Sequence, residues 1–527
     1  MAIDYTAVFE KTISRSVQFW RRYRRSDDIE NQKFILIDLM VDHPTYFLGN
    51  LIVAKYLELL RGYKPWALVS SAADQKVILL AKSFGVERFT FVRDEVAKEA
   101  FPEVGPILQQ LEGLSGAELR RRVLTLNVNG LQVGDLLYDT YVREMRKVTL
   151  LEVDDDLRAF TVLMLNYFAL YDKIFRTGDI AATITGHLVY LRFGLLARLS
   201  AEYGADVYAL SGGKGMRIQR RRGMAAVSDV ITRISPDLVD RVLARDGDEV
   251  VRNGRETLSR RMSGTNNEYK YLNEESYAPT RNLLNPHELH QRLGLDPERP
   301  KALLMLHAFP DATHAAPKLL FDDYYDWFRK TLDIARELPE IDWLIKMHPH
   351  QAYYTHDPEP LETASSIANE VAHIHVLEEG MNSASLPAFV DFLITIDGSA
   401  GLEFAGCGIP IILGGRGFVA GLGFSEEPQN IAEYADTLAR GPKLVLSTAQ
   451  QRRALAANDL YYRRMVVNCR FMPDISYNSW TAFDEGAFWQ GYLEAMENTT
   501  AENDEIFQAL NRMLDTDAHT TLRTDEI

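Results

Sequence analysis

The sequence predicts an α/β protein with two doubly wound parallel sheets. Short apolar runs of strand length alternate with helical segments, which is the pattern of parallel strands joined by crossover helices. The alternation occurs twice, first over about residues 29–255 and again from residue 301. A chain of 527 residues is also long enough for two or three domains of ordinary size.

The composition excludes several classes of protein. Hydrophobic residues make up 46% and charged residues 25% of the chain, as in globular proteins, which excludes a disordered or low-complexity chain. The net charge of −16 argues against nucleic acid as a partner, so an anionic ligand needs a local cationic site. Two cysteines cannot form a disulfide framework. Because no signal peptide or membrane-spanning stretch is recognisable, we expect a cytoplasmic protein, soluble or at the inner face of the membrane.

Residues 1–28 are predicted to form an N-terminal amphipathic helix. Apolar side chains recur at helical spacing over residues 4–25, and arginines crowd the second half of this stretch. Arginines beside Phe19, Trp20 and Tyr23 suit peripheral contact with an anionic membrane. The alternative is a packing helix whose cations stabilise the negative end of its own dipole.

The first sheet is predicted within residues 29–255, and a polar interdomain connection over residues 256–300. The strands of this sheet are short apolar runs that precede loops or helices. They are FILIDLM (34–40), WALVS (66–70), RFTFV (88–92), VTLLEV (148–153), AATIT (181–185) and DVYAL (206–210).

The second sheet is predicted within residues 301–475. Its strands are KALLMLHAF (301–309), DWLIKMHP (342–349), HIHVLE (373–378), FLITID (392–397) and IPIILGG (409–415). Residues 476–527 are predicted to form C-terminal helices with an acidic tail.

Residues with useful chemistry follow three strands of the second sheet. Ligands of doubly wound sheets bind beyond the carboxyl ends of the strands, so these residues are candidates for a binding site. The candidates are Lys346, His348 and Pro349 after one strand, Gly398, Ser399, Gly401 and Glu403 after another, and Arg416 after a third.

Each of these residue types suits a phosphate-bearing ligand. Glycines allow backbone N–H groups to approach an anion at the positive end of a helix, and Ser399 adds a hydroxyl donor there. Lys346 and His348 offer cationic or N–H contacts to a phosphate, and Glu403 offers a carboxylate to ribose hydroxyls. The alternative is a capping box formed by Ser399 and Glu403.

The runs WLIKMHP and LITIDGSAGLEFAGCGIPIILGG resemble GT-B-fold glycosyltransferases of bacterial capsule and surface polysaccharides. They look most like the His-Pro motif group, which includes Kdo (3-deoxy-manno-octulosonate), sialic-acid and polyol-phosphate transferases. That group carries a Lys-x-His-Pro element and a Ser/Thr–Gly–x–Glu element. The matching residues here are Lys346, His348 and Pro349, and Ser399, Gly401 and Glu403.

The resemblance implies a GT-B fold, in which two Rossmann-like domains face a cleft and C-terminal helices return to the first domain. It implies that the second domain binds a nucleotide-sugar donor, with His348 and Ser399 at the phosphate and Glu403 at the ribose. The His-Pro motif favours a CMP-ulosonic acid. A UDP or dTDP sugar would need further positive groups, which Lys346 or Arg416 could provide.

The first domain is expected to hold a glycan or lipid-linked acceptor and to supply the general base that glycosyl transfer needs. The candidate bases that follow strands of the first sheet are Asp42, His43 and His187. Asp311 follows the first strand of the second sheet and is expected to face the same cleft. Capping, turn or core roles are the alternatives for these residues.

A metal site is not expected. The one acidic triplet, Asp154–Asp156, directly precedes a predicted helix, so capping explains it better than metal binding. We therefore expect metal-independent transfer without a cofactor. The alternative functions are a nucleotide-sugar epimerase or a polyol-phosphate transferase on the same fold, or a non-catalytic assembly protein. The sequence leaves open the sugar, the acceptor, the stereochemical course and the oligomeric state.

Overall fold

The computed structural model describes residues 5–23, 33–265, 276–278, 281, 283–315, 319–349, 351–474 and 483–523. Within these residues the strands form a seven-stranded sheet, a six-stranded sheet and a two-stranded ribbon. The ribbon consists of β4 (Asn127–Val128) and β5 (Leu131–Gln132).

The first sheet has a doubly wound parallel centre with an antiparallel edge. Its strands are β1 (Phe34–Leu39), β2 (Lys64–Val69), β3 (Arg88–Phe91), β6 (Ile180–Thr185), β7 (Asp206–Gly212), β8 (Gly215–Arg221) and β15 (Val467–Asn468). The spatial order is β15-β8-β7-β6-β1-β2-β3, and β8 and β15 are the antiparallel members. The chain returns from β3 to the other side of β1, so the order reverses between β1 and β6.

The second sheet repeats this topology with parallel strands. It contains β9 (Lys301–Met305), β10 (Asp342–Lys346), β11 (Ile374–Val376), β12 (Phe392–Thr395), β13 (Ile411–Leu413) and β14 (Ser425–Glu426). The order is β11-β10-β9-β12-β13-β14, with its reversal between β9 and β12. Two sheets of this order confirm the predicted α/β fold class of GT-B type.

Helices cover both sheets. In the first half of the chain the α-helices are Tyr5–Arg21, Pro44–Arg61, Gln75–Ser83, Val92–Val96, Val104–Gln109, Gly116–Leu124, Gly134–Glu144, Asp155–Thr177, Leu195–Glu202, Gly223–Ser228, Pro236–Asp246 and Asp248–Met262. In the second half they are Pro286–Leu293, Tyr324–Arg336, Gln351–Tyr354, Glu359–Glu370, Ser399–Gly406, Ile431–Arg440, Thr448–Asp459, Glu485–Asn498 and Glu505–Asp515. Short π or 3-10 turns span Tyr190–Gly194, Ser383–Ser385, Gly441–Lys443 and Leu460–Arg464.

The N-terminal helix Tyr5–Arg21 packs into the first domain together with the C-terminal helices. Phe19 and Trp20 are buried, and Trp20 Nε1 donates to the Tyr492 hydroxyl at 3.0 Å. Two aromatic residues predicted for a membrane surface thus face the protein interior, which favours the packing alternative. Arg24 and Arg25 lie outside the described residues. No described helix has the length and apolar content needed to cross a membrane.

Two predicted domain limits need correction. The limit at residue 255 falls inside the helix Asp248–Met262. Val250 and Leu258 of this helix share a core with the second sheet, so the whole helix packs with the second domain. The limit at residue 475 comes too late, because Val467 and Asn468 already pair with β8 in the first sheet. The chain therefore crosses between the domains earlier than composition suggested.

The predicted strand over residues 148–153 is also wrong. Val148 packs in the core of the second domain and Leu150 in that of the first, while Leu151 is exposed. Val148 and Leu150 are thus buried at the domain junction without forming a strand.

Candidate functional site

The strand ends that the sequence singled out meet at one edge of the second sheet. Strands β10, β9, β12 and β13 are adjacent and parallel, so their carboxyl ends point the same way. Lys346, His348, Ser399 and Arg416 follow or end three of these strands. The reversal between β9 and β12 opens a crevice at this edge, where ligands bind in doubly wound sheets.

Lys346 gives this edge a buried positive charge. It is the last residue of β10, and only 4% of its surface is exposed. Burial lowers its pKa to about 8, with the charge of Arg281 adding to this effect and that of Glu379 opposing it. Its ammonium has no hydrogen-bond or ion-pair partner in the described part of the chain. An ammonium buried in this way favours an anionic ligand, because an unpaired buried charge is costly.

The helix Ser399–Gly406 directs its N-terminus to the same edge. Gly398 is its N-cap residue, so the capping role considered for Ser399 is not what the structure has. Ser399 is exposed, and its hydroxyl has no hydrogen-bond partner among the described residues. The first turn of the helix therefore presents N–H groups and a hydroxyl to the crevice.

Two glycines allow the segments of this edge to approach closely. A Cβ atom on Gly401 would lie 3.2 Å from Val419, and one on Gly417 would overlap the carbonyl oxygen of Ile396. The loop after β13, which carries the exposed Arg416, thus packs directly against the end of β12. Arg233 holds this loop by donating to the Arg416 carbonyl at 2.8 Å.

The contacts of Glu403 favour a structural role over the ribose-binding role that the resemblance implies. Glu403 is 1% exposed, and Arg261 donates to its Oε1 from Nε at 3.1 Å and from Nη2 at 2.6 Å. The Tyr277 hydroxyl donates to Oε2. Both oxygens are occupied because this face of the helix packs against the helix Asp248–Met262, so Glu403 acts here as a buried ion-pair partner.

His307 and Asp397, which the sequence analysis did not select, lie at the reversal point between β9 and β12. His307 Nε2 accepts a hydrogen bond from the Asp397 backbone N–H at 2.9 Å, so the proton of the neutral ring is on Nδ1. Burial lowers the pKa of His307 to about 4. Burial also raises the pKa of the Asp397 carboxyl to about 6, against the charge of Arg233. Their position just beyond two central strands was the available signal.

His187 is positioned by a buried network in the first domain. Its ring stacks on Tyr46 at 5.6 Å between centroids. The Tyr46 hydroxyl donates to buried Asp38 at 2.5 Å and accepts from the Gly186 N–H at 3.1 Å. Desolvation of the ring lowers the pKa of His187, and the negative charges of Asp38 and Asp311 oppose this shift. The residue as a whole stays accessible to solvent. A neutral imidazole at pH 7 follows.

The cleft brings together some candidate bases and separates others. Asp311 accepts a hydrogen bond from the Tyr190 hydroxyl across the cleft at 3.0 Å, on the side of His187. Asp42 is strongly exposed, and its carboxylate lies 3.7 Å from the ammonium of Lys76, which also pairs with Glu485 of the C-terminal segment at 2.8 Å. The His43 ring packs against Phe483 at 4.8 Å. The contacts of Asp42 and His43 thus lead towards the C-terminal segment, whereas those of His187 lead towards Asp311.

The first residue of the acidic triplet, Asp154, has the capping role that the sequence favoured, and Asp155 and Asp156 lie in the first turn of the helix. Asp154 accepts from the Leu157 N–H at 2.8 Å at the start of the helix Asp155–Thr177. Burial works against its ionisation, but bonds from Lys147 and Tyr141 lower the pKa of Asp154 to about 2. Within the described ranges, no three His, Cys, Asp or Glu side chains are grouped to hold a metal ion.

No protein-family model and no curated protein matches this chain. Solved structures of similar fold include the β-Kdo 2,4 transferase KpsC of Thermosulfurimonas dismutans, with 15% identity, a TM-score of 0.33, and 53% of this chain and 79% of that chain covered. A UDP-GlcNAc 2-epimerase from Neisseria meningitidis has 7% identity and a TM-score of 0.24, with 89% of this chain and 100% of that chain covered. The O-GlcNAc transferase of Thermobaculum terrenum has 12% identity and a TM-score of 0.29, with 92% of this chain and 74% of that chain covered. Similarities this distant assign no activity.

Proposed function

We propose that this chain is a glycosyltransferase that moves a sugar from a nucleotide-activated donor to a glycan or lipid-linked acceptor. The observation that carries the proposal is the buried ammonium of Lys346 at the same sheet edge as His348 and the N-terminus of the helix Ser399–Gly406. A nucleotide phosphate would satisfy all three groups at once. In the transfer step they would stabilise the negative charge that develops on the leaving phosphate.

The donor that we favour is a CMP-activated ulosonic acid. Its leaving group carries one phosphate, which suits one compact anion site, and the His-Pro resemblance points the same way. A diphosphate donor would additionally engage the exposed Arg416. Since the protein itself supplies positive groups, we expect transfer in the presence of EDTA. Loss of activity in EDTA and its recovery with Mg²⁺ or Mn²⁺ would contradict this expectation.

His187 is the base in this proposal. Its neutral ring can accept the proton of an acceptor hydroxyl while that oxygen attacks the anomeric carbon. Tyr46 and Asp38 would hold the ring in place, and Asp311 would stabilise the imidazolium that forms. Asp42 and His43, whose contacts lie elsewhere, have no step in this mechanism.

Nucleotide binding tests the proposal directly. Thermal unfolding of the purified protein is measured with CMP, CDP, UDP and dTDP, and a nucleotide at ~100 times its Kd should add ~2.7 kcal/mol to the unfolding free energy. His348→Ala should weaken binding by ~1.5–3 kcal/mol, because a charge-assisted contact is lost. Lys346→Met should weaken binding without harming the fold, and His287→Ala, at an exposed position of the helix Pro286–Leu293, is the control. If no nucleotide stabilises the parent protein, the proposal is wrong.

A further inference from the structure

A cation of the first domain lies against the segment that carries His348. Arg143 is near the end of the helix Gly134–Glu144, and its guanidinium carbon is 4.1 Å from the ring centroid of Tyr354. It is also 5.9 Å from the ring centroid of Tyr353. Tyr354 in turn meets the His348 ring edge-on, with 6.4 Å between centroids. A first-domain arginine is thus held beside the second-domain residue assigned to the donor phosphate.

Arg143 differs from its neighbours in lacking a polar partner. Lys147 pairs with Asp154 at 2.7 Å, and Arg146 Nη1 contacts His356 Nε2 at 2.9 Å. For Arg143 the described chain offers ring contacts but no hydrogen bond or ion pair. It is nevertheless half-buried, where such a partner would be expected.

The position of Arg143 over the Tyr354 ring leaves its N–H groups without a hydrogen-bond acceptor among the described residues. A guanidinium that lies over an aromatic ring interacts through its face, while its N–H groups point outward in the plane. Tyr190 donates to Asp311 in the cleft, and burial raises the pKa of its hydroxyl. The positive charge of Arg143 opposes this rise in pKa. Arg143 is therefore close to the cleft as well as to the His348 segment.

We propose that Arg143 is a donor-phosphate ligand supplied by the first domain. Its planar fork binds oxygens of a nucleotide phosphate that Lys346 and His348 hold from the second domain, in the bidentate geometry typical of arginine. The inference rests on the proposed donor site. If Arg143 binds the phosphate, full affinity for the donor depends on both domains. A bound phosphate then also strengthens the contact between the two domains.

The test compares nucleotide binding by the parent protein with that of Arg143→Ala, Arg143→Lys and Arg146→Ala. With CMP, CDP and UDP as probes, Arg143→Ala should weaken binding about 10- to 100-fold. It should also reduce the salt dependence of Kd, because one charge fewer contacts the phosphate. Arg143→Lys should recover part of the affinity, and Arg146→Ala, which removes a neighbouring contact between the domains, should bind like the parent.

Three results would overturn the inference, and they are distinguishable. If the parent binds and Arg143→Ala binds as tightly, Arg143 is no phosphate ligand although the donor site stands. Weaker binding with an unchanged salt dependence, or an equal loss in Arg146→Ala, would mean that Arg143 only supports the packing of Tyr354. If the parent binds none of the three nucleotides, the donor site fails and this inference with it.

Discussion

Glu403 and Asp397 show how packing separates two carboxylates of one segment. Asp397 stays at the sheet edge, where burial raises its pKa to about 6. Glu403, about one turn into the helix Ser399–Gly406, meets Arg261 and Tyr277 and is buried. A carboxylate with both oxygens satisfied stabilises the junction between the helices Asp248–Met262 and Ser399–Gly406.

Removing one member of this pair should destabilise the protein. Glu403→Ala leaves the Arg261 guanidinium buried without its carboxylate, so we expect the free energy of unfolding to fall by ~3–5 kcal/mol. The double variant Glu403→Leu with Arg261→Met removes both charges and should recover most of that loss. Urea unfolding measures both effects. An unchanged stability together with weaker nucleotide binding would instead support the ribose role.

His314 should make the stability of the domain junction depend on pH. Its Nδ1 lies 2.6 Å from Asp139 Oδ1 of the first domain, and its Nε2 lies 2.8 Å from the Asp322 carbonyl oxygen. Both neighbours are acceptors, so both ring nitrogens carry protons. Burial opposes this charge, but Asp139 outweighs burial and raises the pKa of His314 to about 9.

The sign of the effect follows from the raised pKa. Protonation of His314 favours the folded state fully below the unfolded-state pKa of ~6.5, and this contribution is lost as the pH rises through about 9. The difference in unfolding free energy between the parent and His314→Gln should therefore be largest near pH 6 and shrink towards pH 9. Chemical unfolding across that range measures it, and a constant difference would contradict the assignment.

Sequence motifs located the residues that we propose for the donor site, but not the partners of Glu403 or the position of Arg143. Lys346, His348 and Ser399 could be found because each follows a recognisable strand, and the parallel sheet brings strand ends together. The pairing of Glu403 with Arg261 spans 142 residues, and no local pattern contains it. Arg143 was missed for the same reason, since only the packing of the two domains brings it to Tyr354.

At the level of elements, apolar runs identified the inner parallel strands of both sheets and the edge strands β3 and β11, but missed β8, β14 and β15. Strand β8 contains Arg217, Arg220 and Arg221, so it resembles a basic loop in sequence. Its arginines are accommodated by partners such as Asp206, which lies 2.6 Å from Arg220 Nε. A strand can therefore contain buried arginines when partners satisfy them, whereas the segment 148–153 is rich in apolar residues without being a strand.

The N-terminal helix should behave as a structural element. Trp20 is 1% exposed, stacks on Phe84 at 4.7 Å and bonds to Tyr492. Trp20→Ala should lower the unfolding free energy by ~3–5 kcal/mol, because it opens a cavity in the core of the first domain. Val17→Ala, at an exposed position of the same helix, is the control and should cost far less.

A membrane role for this helix predicts a different pattern. In that case Trp20→Ala would retain the stability of the parent and lose binding to anionic liposomes. Unfolding by urea and vesicle sedimentation, measured on the same two variants, separate the two roles.

In the whole molecule, polar contacts between the domains align the two halves of the cleft. Asp323 accepts hydrogen bonds from Tyr138 at 2.5 Å and from Thr149, both in the first domain. It also caps the helix Tyr324–Arg336 by accepting from the Asp326 N–H at 2.7 Å. Tyr324 stacks on His307 at 4.7 Å, so this contact leads directly to the reversal point of the second sheet.

The two domains should therefore unfold together, and loss of the Asp323 contacts should uncouple them. Tyr138→Phe with Thr149→Val removes both first-domain donors to the buried carboxylate of Asp323. Each lost hydrogen bond should lower the free energy of unfolding by ~1.5–3 kcal/mol. We expect calorimetry to show one transition for the parent and two for this variant. Tyr203→Phe, which removes a hydroxyl bonded to Asp172 within the first domain, should keep the single transition. Two transitions in the parent would mean that the domains are not coupled. A single transition in the Tyr138→Phe, Thr149→Val variant would mean that other junction contacts, such as His314 with Asp139, are sufficient to couple them.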